Sequence, residues 1–100
     1  MYSFHDAVTV QRFLQANPHL IEAILEAYPY LVKCFGPDPQ VMLEVVRDPE
    51  AEGVEELFAY ILTPLPVDEA LARLDKLDQE WFLDQLDRVG GRFNFNLEFA

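Results

Sequence analysis

PVDEALARLDKLDQEWFLDQLDRVGG, Pro66 to Gly91, is the longest stretch of helical pattern in the chain and holds its only tryptophan, Trp81. Val67, Ala70, Leu71, Leu74 and Trp81 recur at three-and-four spacing, which gathers them on one face of a helix and predicts that this face is buried. Pro66 suits a helix start because it has no N–H to leave unpaired. Asp68 and Glu69 stand where the positive end of the helix dipole favours anions. Carried unbroken to Val89, this helix would set Asp78 and Gln85 inside the apolar stripe and push Phe82, Leu86 and Val89 to its side. The spacing therefore predicts a break near Leu77 and Asp78, with Asp78 capping a second helical piece that Gly90 and Gly91 end. Pairs at four-residue spacing, Glu69 with Arg73 and Asp84 with Arg88, read as solvated links worth about 0.2–0.5 kcal/mol each.

Outward from this arm, the N-terminal half reads as two helices. His5 to Gln15 carries Phe4, Val8, Phe13 and Leu14 at irregular spacing. A stronger pattern follows Asn17 and Pro18, where Leu20, Ile21, Ile24, Leu25, Tyr28, Leu31, Val32 and Phe35 hold an apolar face as far as Gly36. Pro29 falls on the polar side with Glu22, Glu26 and Lys33, which predicts a kink convex to solvent rather than a stop.

From Gln40 the period changes to two. Val41, Leu43 and Val45 alternate with Met42, Glu44 and Val46, the pattern of a half-buried strand. DPEAEG, Asp48 to Gly53, has the composition of an exposed connection. Leu57 to Thr63 then reads as the returning strand of an antiparallel hairpin. In RFNFNLEFA, Phe93, Phe95, Leu97 and Phe99 alternate cleanly with Asn94, Asn96 and Glu98. The expected fold is a single α+β domain over residues 1–100: two helices, then β-β-α-β, with a small antiparallel three-stranded sheet of order 2-1-3 packed on the helices. Its expected core is Leu43, Val45, Leu71, Leu74, Trp81, Phe93, Phe95 and Leu97 with Ile21, Ile24, Leu25 and Tyr28. The second strand is apolar on both sides, through Phe58, Tyr60 and Leu62 as well as Leu57, Ala59 and Ile61. Either a helix covers its outer side or that side is a contact surface.

Composition narrows the function classes. An apolar fraction of 51% in 100 residues suffices for one small core without metal or disulfide support. A formal net charge of −11, from 18 acids against 7 bases, opposes binding to nucleic-acid phosphates and anionic membrane surfaces. Cys34 is the single cysteine, which fits a reducing, cytoplasmic setting, and MYSFHDAV has neither the basic segment nor the apolar run of a signal peptide. Leu57 to Leu62, the longest apolar run, is far short of the roughly 20 residues of a membrane span.

Residues that could carry chemistry are sparse. His5 and His19 lack cysteine neighbours or an HExxH spacing, so a metal site is not expected. Asp48, Glu50, Glu52, Glu55 and Glu56 lack the spacing of a calcium loop. Asp75, Asp78, Asp84 and Asp87 would need a cleft and a pKa push to serve as an acid–base pair. Cys34 has no signature of a nucleophile, and no cofactor motif is present. Trp81 with Phe82 reads as core, or else as an aromatic anchor for a partner.

The runs LEVVRDPE, ELFAYILT, VDEALARLDKLDQEWFLD and the terminal LEF resemble a group of small, acidic, uncharacterised bacterial proteins of cyanobacterial type. The pattern rests on Asp48, Pro49, Glu50, Glu69, Ala70, Leu71, Leu74, Asp75, Asp78, Trp81, Leu83, Asp84 and Glu98, over about the last sixty residues. It implies a fold and brings no activity with it. Acidity, small size and missing catalytic signatures point to a protein-interaction or regulatory protein, of which an antitoxin-like partner is one form. The alternative is a small enzyme or ligand-binding module built on loop and helix carboxylates. The expected contact surface is the sheet, through Tyr60, Asn94, Asn96 and Trp81 or along the unpaired edge of RFNFNLEFA, with homodimerisation or a different protein partner as the outcome.

Overall fold

The computed structural model describes residues 1–47 and 54–99. The chain runs β1 (Tyr2–Phe4), α1 (Ala7–Ala16), α2 (His19–Phe35), β2 (Gln40–Arg47), β3 (Glu55–Thr63), α3 (Val67–Glu80), a 3-10 turn (Phe82–Gln85), α4 (Leu86–Val89) and β4 (Phe93–Phe99). The DPE connection expected between the hairpin strands lies outside the described residues. One mixed sheet has the order β1-β2-β3-β4, with β1 parallel to β2, β2 antiparallel to β3, and β3 parallel to β4.

This α+β arrangement overturns the expected three-stranded antiparallel sheet of order 2-1-3. Tyr2–Phe4, read from sequence as a lead-in to the first helix, is a strand that occupies the free edge of β2, with Tyr2 opposite Val41 and Phe4 opposite Leu43. That edge being taken, β4 pairs with β3, Leu57 facing Phe93 and Ile61 facing Leu97, in the parallel sense its helical crossover dictates. The strands step across the sheet in one direction while their sense reverses at the hairpin, and both crossovers pack on one face. The two crossovers therefore have opposite hands, so one departs from the usual right-handed rule.

Local chemistry sets the helix ends. Asp6, at φ 55°, caps α1 by accepting from the Thr9 hydroxyl at 2.7 Å. Asn17 closes α1, its side-chain amide donating to the Phe13 carbonyl at 2.9 Å. Beyond Pro18, α2 runs through Pro29 to Gly36, whose φ of 106° suits glycine alone.

All helices cover the same side of the sheet. Val41, Leu43, Leu57, Ala59, Ile61, Phe93 and Phe95 meet Val10, Phe13, Leu20, Ala23, Ile24, Ala27, Leu31, Cys34, Leu77, Trp81, Phe82 and Val89 in one core. Three expected core residues are at the surface instead: Ile21 is 41% exposed, Leu25 65% and Leu71 51%. In α2 the fully buried Ala23 and Ala27 bring the helix close and turn its contact face toward the small residues, which leaves Ile21 and Leu25 outside. In α3 the inward line is Ala70, Leu74 and Leu77, which rotates Leu71 outward.

The expected break at Asp78 is also displaced. The helix continues through Asp78 to Glu80, and the turn comes at Trp81, with φ −145° and ψ −53°. Beyond it Phe82 packs its ring against Phe95 at 5.1 Å between centroids, and Phe93 packs against Phe95 at 5.0 Å. Trp81 stacks on Tyr30 at 5.8 Å. Asp78 caps no helix; it lies half-buried beside the stripe, where burial first and the neighbouring Asp75 second push its carboxyl above the usual range. Gly90 and Gly91, both at positive φ, end the arm as their sequence predicts.

Two consequences are testable by urea unfolding. Phe95→Ala removes the ring at the centre of this aromatic cluster and should cost about 3–5 kcal/mol. Asp78→Asn should stabilise the protein at neutral pH, because a carboxyl whose folded pKa is raised opposes folding once ionised. That gain should vanish as pH falls through the folded value to below 3.8, the unfolded one, where both states bind the proton. Loss of stability in Asp78→Asn at neutral pH would show that Asp78 anchors the helix after all.

Candidate functional site: the uncovered face of the sheet

Alternation along three long strands places a second set of side chains opposite the core. Met42, Glu44 and Val46 of β2, Glu56, Phe58, Tyr60 and Leu62 of β3, and Asn94, Asn96 and Glu98 of β4 share this face. The register aligns Met42, Tyr60 and Asn96 in one row and Glu44, Phe58 and Asn94 in the next. Phe58 and Tyr60 stack at 5.8 Å between ring centroids, and Leu62 beyond them is 45% exposed. No described helix lies over these residues, since every described helix that contributes to the core does so from the other side.

The face is apolar at its middle and acidic around it. Partial burial, then Glu44 and Glu98, raise the Tyr60 phenol above its ordinary pKa, so it remains a neutral O–H donor. Met42, Glu44, Tyr60, Leu97 and Glu98 line a shallow hollow of about 200 Å³ beside it. His5, at the β1 end, has its Nε2 3.7 Å from the Glu44 carboxylate.

Of the residues singled out in the sequence, Tyr60, Asn94 and Asn96 come together on this face. Trp81 does not. It is 5% exposed, on the opposite side of the sheet, and its rings of contact are Tyr30, Phe82 and Phe95. The helix carboxylates likewise form no enclosed pair with it: Asp75, Asp84 and Asp87 are exposed, and Asp75 accepts from the Gln79 amide at 3.0 Å.

The free edge of β4 has its own chemistry. Leu57, the partner of Phe93, donates to the Arg92 carbonyl at 2.8 Å, which fixes the ladder so that Asn94, Asn96 and Glu98 aim their backbone groups at β3. The N–H groups of Phe95 and Leu97 therefore point outward, where another strand would bind. Each is instead held by the preceding side chain: Asn94 Oδ1 accepts from Phe95 N–H at 2.9 Å, and Asn96 Oδ1 from Leu97 N–H at 2.8 Å. The asparagines thus occupy the edge donors that strand addition requires. The sequence shows their alternation but not this bond, which depends on which backbone groups the neighbouring strand leaves free.

No protein-family model matches the chain, and no curated protein or solved structure is significantly similar to it. Among the described residues, no helix is long and apolar enough to cross a membrane.

Freeing the edge is a direct check on the asparagine bonds. Asn94→Thr with Asn96→Thr keeps strand propensity and polarity but withdraws both side-chain carbonyls. Sedimentation velocity should then show more concentration-dependent dimer or larger species than the wild type. An unchanged profile would mean that the two bonds do not guard the edge.

Proposed function

We propose that this chain is a small cytoplasmic protein-interaction protein, kin to the acidic bacterial group it resembles, and that it meets its partner through the uncovered sheet face. One observation carries this reading: a stacked Phe58–Tyr60 pair stands on the middle strands of a sheet face, with Leu62 exposed beyond it and acids around them. Apolar centres with polar rims, with aromatic residues at the middle, are the anatomy of protein interfaces. The surface of a second copy would bring Glu44, Glu56 and Glu98 against like charges, so the face suits a basic partner better than itself. Acidic surroundings and the net charge of −11 would steer such a partner and make association faster at low salt.

Tagged protein from the native host, captured at low salt and analysed for what co-purifies, identifies the partner. With it in hand, Tyr60→Ala should weaken binding by about 2 kcal/mol or more, as loss of a central aromatic does. Circular dichroism should show the variant folded, since the ring lies outside the helix-side core. Raising the salt should slow association more than it speeds dissociation. Binding that is indifferent to Tyr60→Ala and to a Leu62→Lys substitution would remove the face from the interaction.

A further inference from the structure

None of the seven lysine and arginine residues stands on the outward positions of the sheet. Arg12, Lys33, Arg73, Lys76 and Arg88 belong to helices, Arg47 has the inward parity of Val41, Leu43 and Val45 on β2, and Arg92 precedes β4. The segments outside the described residues, DPEAEG and Ala100, contain no lysine or arginine, so they bring no fixed positive charge to the face. His5, beside Glu44, is charged only when protonated. The uncovered face is therefore apolar along β3 and carries Glu44, Glu56 and Glu98 around that line with no fixed cation among them. Glu44 and Glu98 both line the shallow hollow beside Tyr60, so neither is turned away from the face.

Strand spacing turns this pattern into a shape. Glu56 to Leu62 on β3 covers about 20 Å, the length of a helix of about 13 residues. β2 and β4 lie about 5 Å to either side, so the three strands together offer roughly the width of one helix. The register sets Glu44 of β2 level with Phe58 and Glu98 of β4 level with Leu62. A helix laid along β3 would rest on Phe58, Tyr60 and Leu62 and meet one carboxylate on each flank, at backbone levels about 13 Å apart. That rise corresponds to about nine helical residues, or two and a half turns, a spacing that carries side chains to opposite flanks. An extended segment on the same face would bury backbone N–H and C=O groups against apolar side chains, whereas a helix satisfies its own. Resting on the reading that this face is the contact surface, we propose that its occupant is a basic amphipathic helix of the partner protein, seated along β3 with a cation on each flank at Glu44 and Glu98.

Fluorescence anisotropy at low salt, with the full chain and a labelled alanine-based peptide of about fourteen residues, tests it. The peptide carries a leucine stripe and two arginines about nine residues apart, one on each flank of the stripe. Two peptides of near-identical composition serve as comparisons: one has both arginines on the same flank, and the other has a central proline that prevents a continuous helix. The first peptide should bind saturably, one per chain, with the proline version about tenfold weaker and the one-flank version several-fold weaker. Glu44→Gln with Glu98→Gln should abolish the preference between the two arginine placements, and circular dichroism should show that variant folded. No saturable binding of the first peptide would overturn the proposal. Equally tight binding of the proline version, with Tyr60→Ala still weakening both, would overturn the helix and leave the face as the contact surface. Binding of the first peptide that ignores Tyr60→Ala would place it elsewhere and overturn the proposal together with the reading beneath it.

Discussion

The fold depends on seating two consecutive aromatic residues, Trp81 and Phe82, in one core. Both are about 5% exposed or less. On a regular helix, neighbours diverge by about 100° around the axis, so a straight α3 would bury one ring and expose the other. The irregular backbone at Trp81 and the 3-10 turn after it resolve this conflict. Trp81 then reaches Tyr30 on α2, and Phe82 reaches Phe93 and Phe95 on β4. The same turn directs α4 to α2, where Arg88 joins Glu22 and Glu26. A single local departure from helical geometry thus ties the second crossover, the last strand and the longest helix together.

A second constraint is that one side of a four-stranded sheet accommodates all the helices. The inner residue of β3 between Leu57 and Ile61 is Ala59, and α2 presents Ala23 and Ala27, all with no exposed surface. Small residues on both partners allow close approach, and close packing of Leu20, Leu31 and Leu43 around them fills the core. The cost falls on the other side, where β3 keeps Phe58, Tyr60 and Leu62 without a described helix over them. A strand in the middle of a sheet that is apolar on both faces is expected where both faces are covered, so here the surplus apolar surface is available for contact.

Sequence reading recovered the elements whose signal is local. The alternation of RFNFNLEFA placed Phe93 and Phe95 inward and Asn94, Asn96 and Glu98 outward, and the phase conflict in α3 signalled that the arm must turn. What failed depended on partners distant in sequence. Tyr2–Phe4 is too short to show a period, and it becomes a strand only because β2 offers it an edge. In α2, hydropathy favoured Ile21 and Leu25 over Ala23 and Ala27, whereas the contact distance to the sheet selects for small size. The turn fell at Trp81 rather than Asp78 because the rings beneath, and not the carboxylate, decide where the helix must stop; a half-buried aspartate can remain in a helix with a raised pKa.

The edges of the sheet determine which kind of recognition remains open. At one end β1 has three residues, too short to template a long incoming strand. At the other, β4 is long enough, but Asn94 and Asn96 hold two of its outward donors. The two edges therefore differ: β1 offers a short ladder, and β4 offers one in which two outward donors are already bonded. Strand addition draws its affinity from main-chain hydrogen bonds and is correspondingly permissive toward sequence. With two of those donors occupied, the partner proposed above would be recognised by side chains, through the fit around Phe58 and Tyr60 and the charges of Glu44, Glu56 and Glu98. The same asparagines that face the uncovered side also bond the edge beside it, so one pair of residues gives the face its polar border and occupies two of the donors that an incoming strand would use.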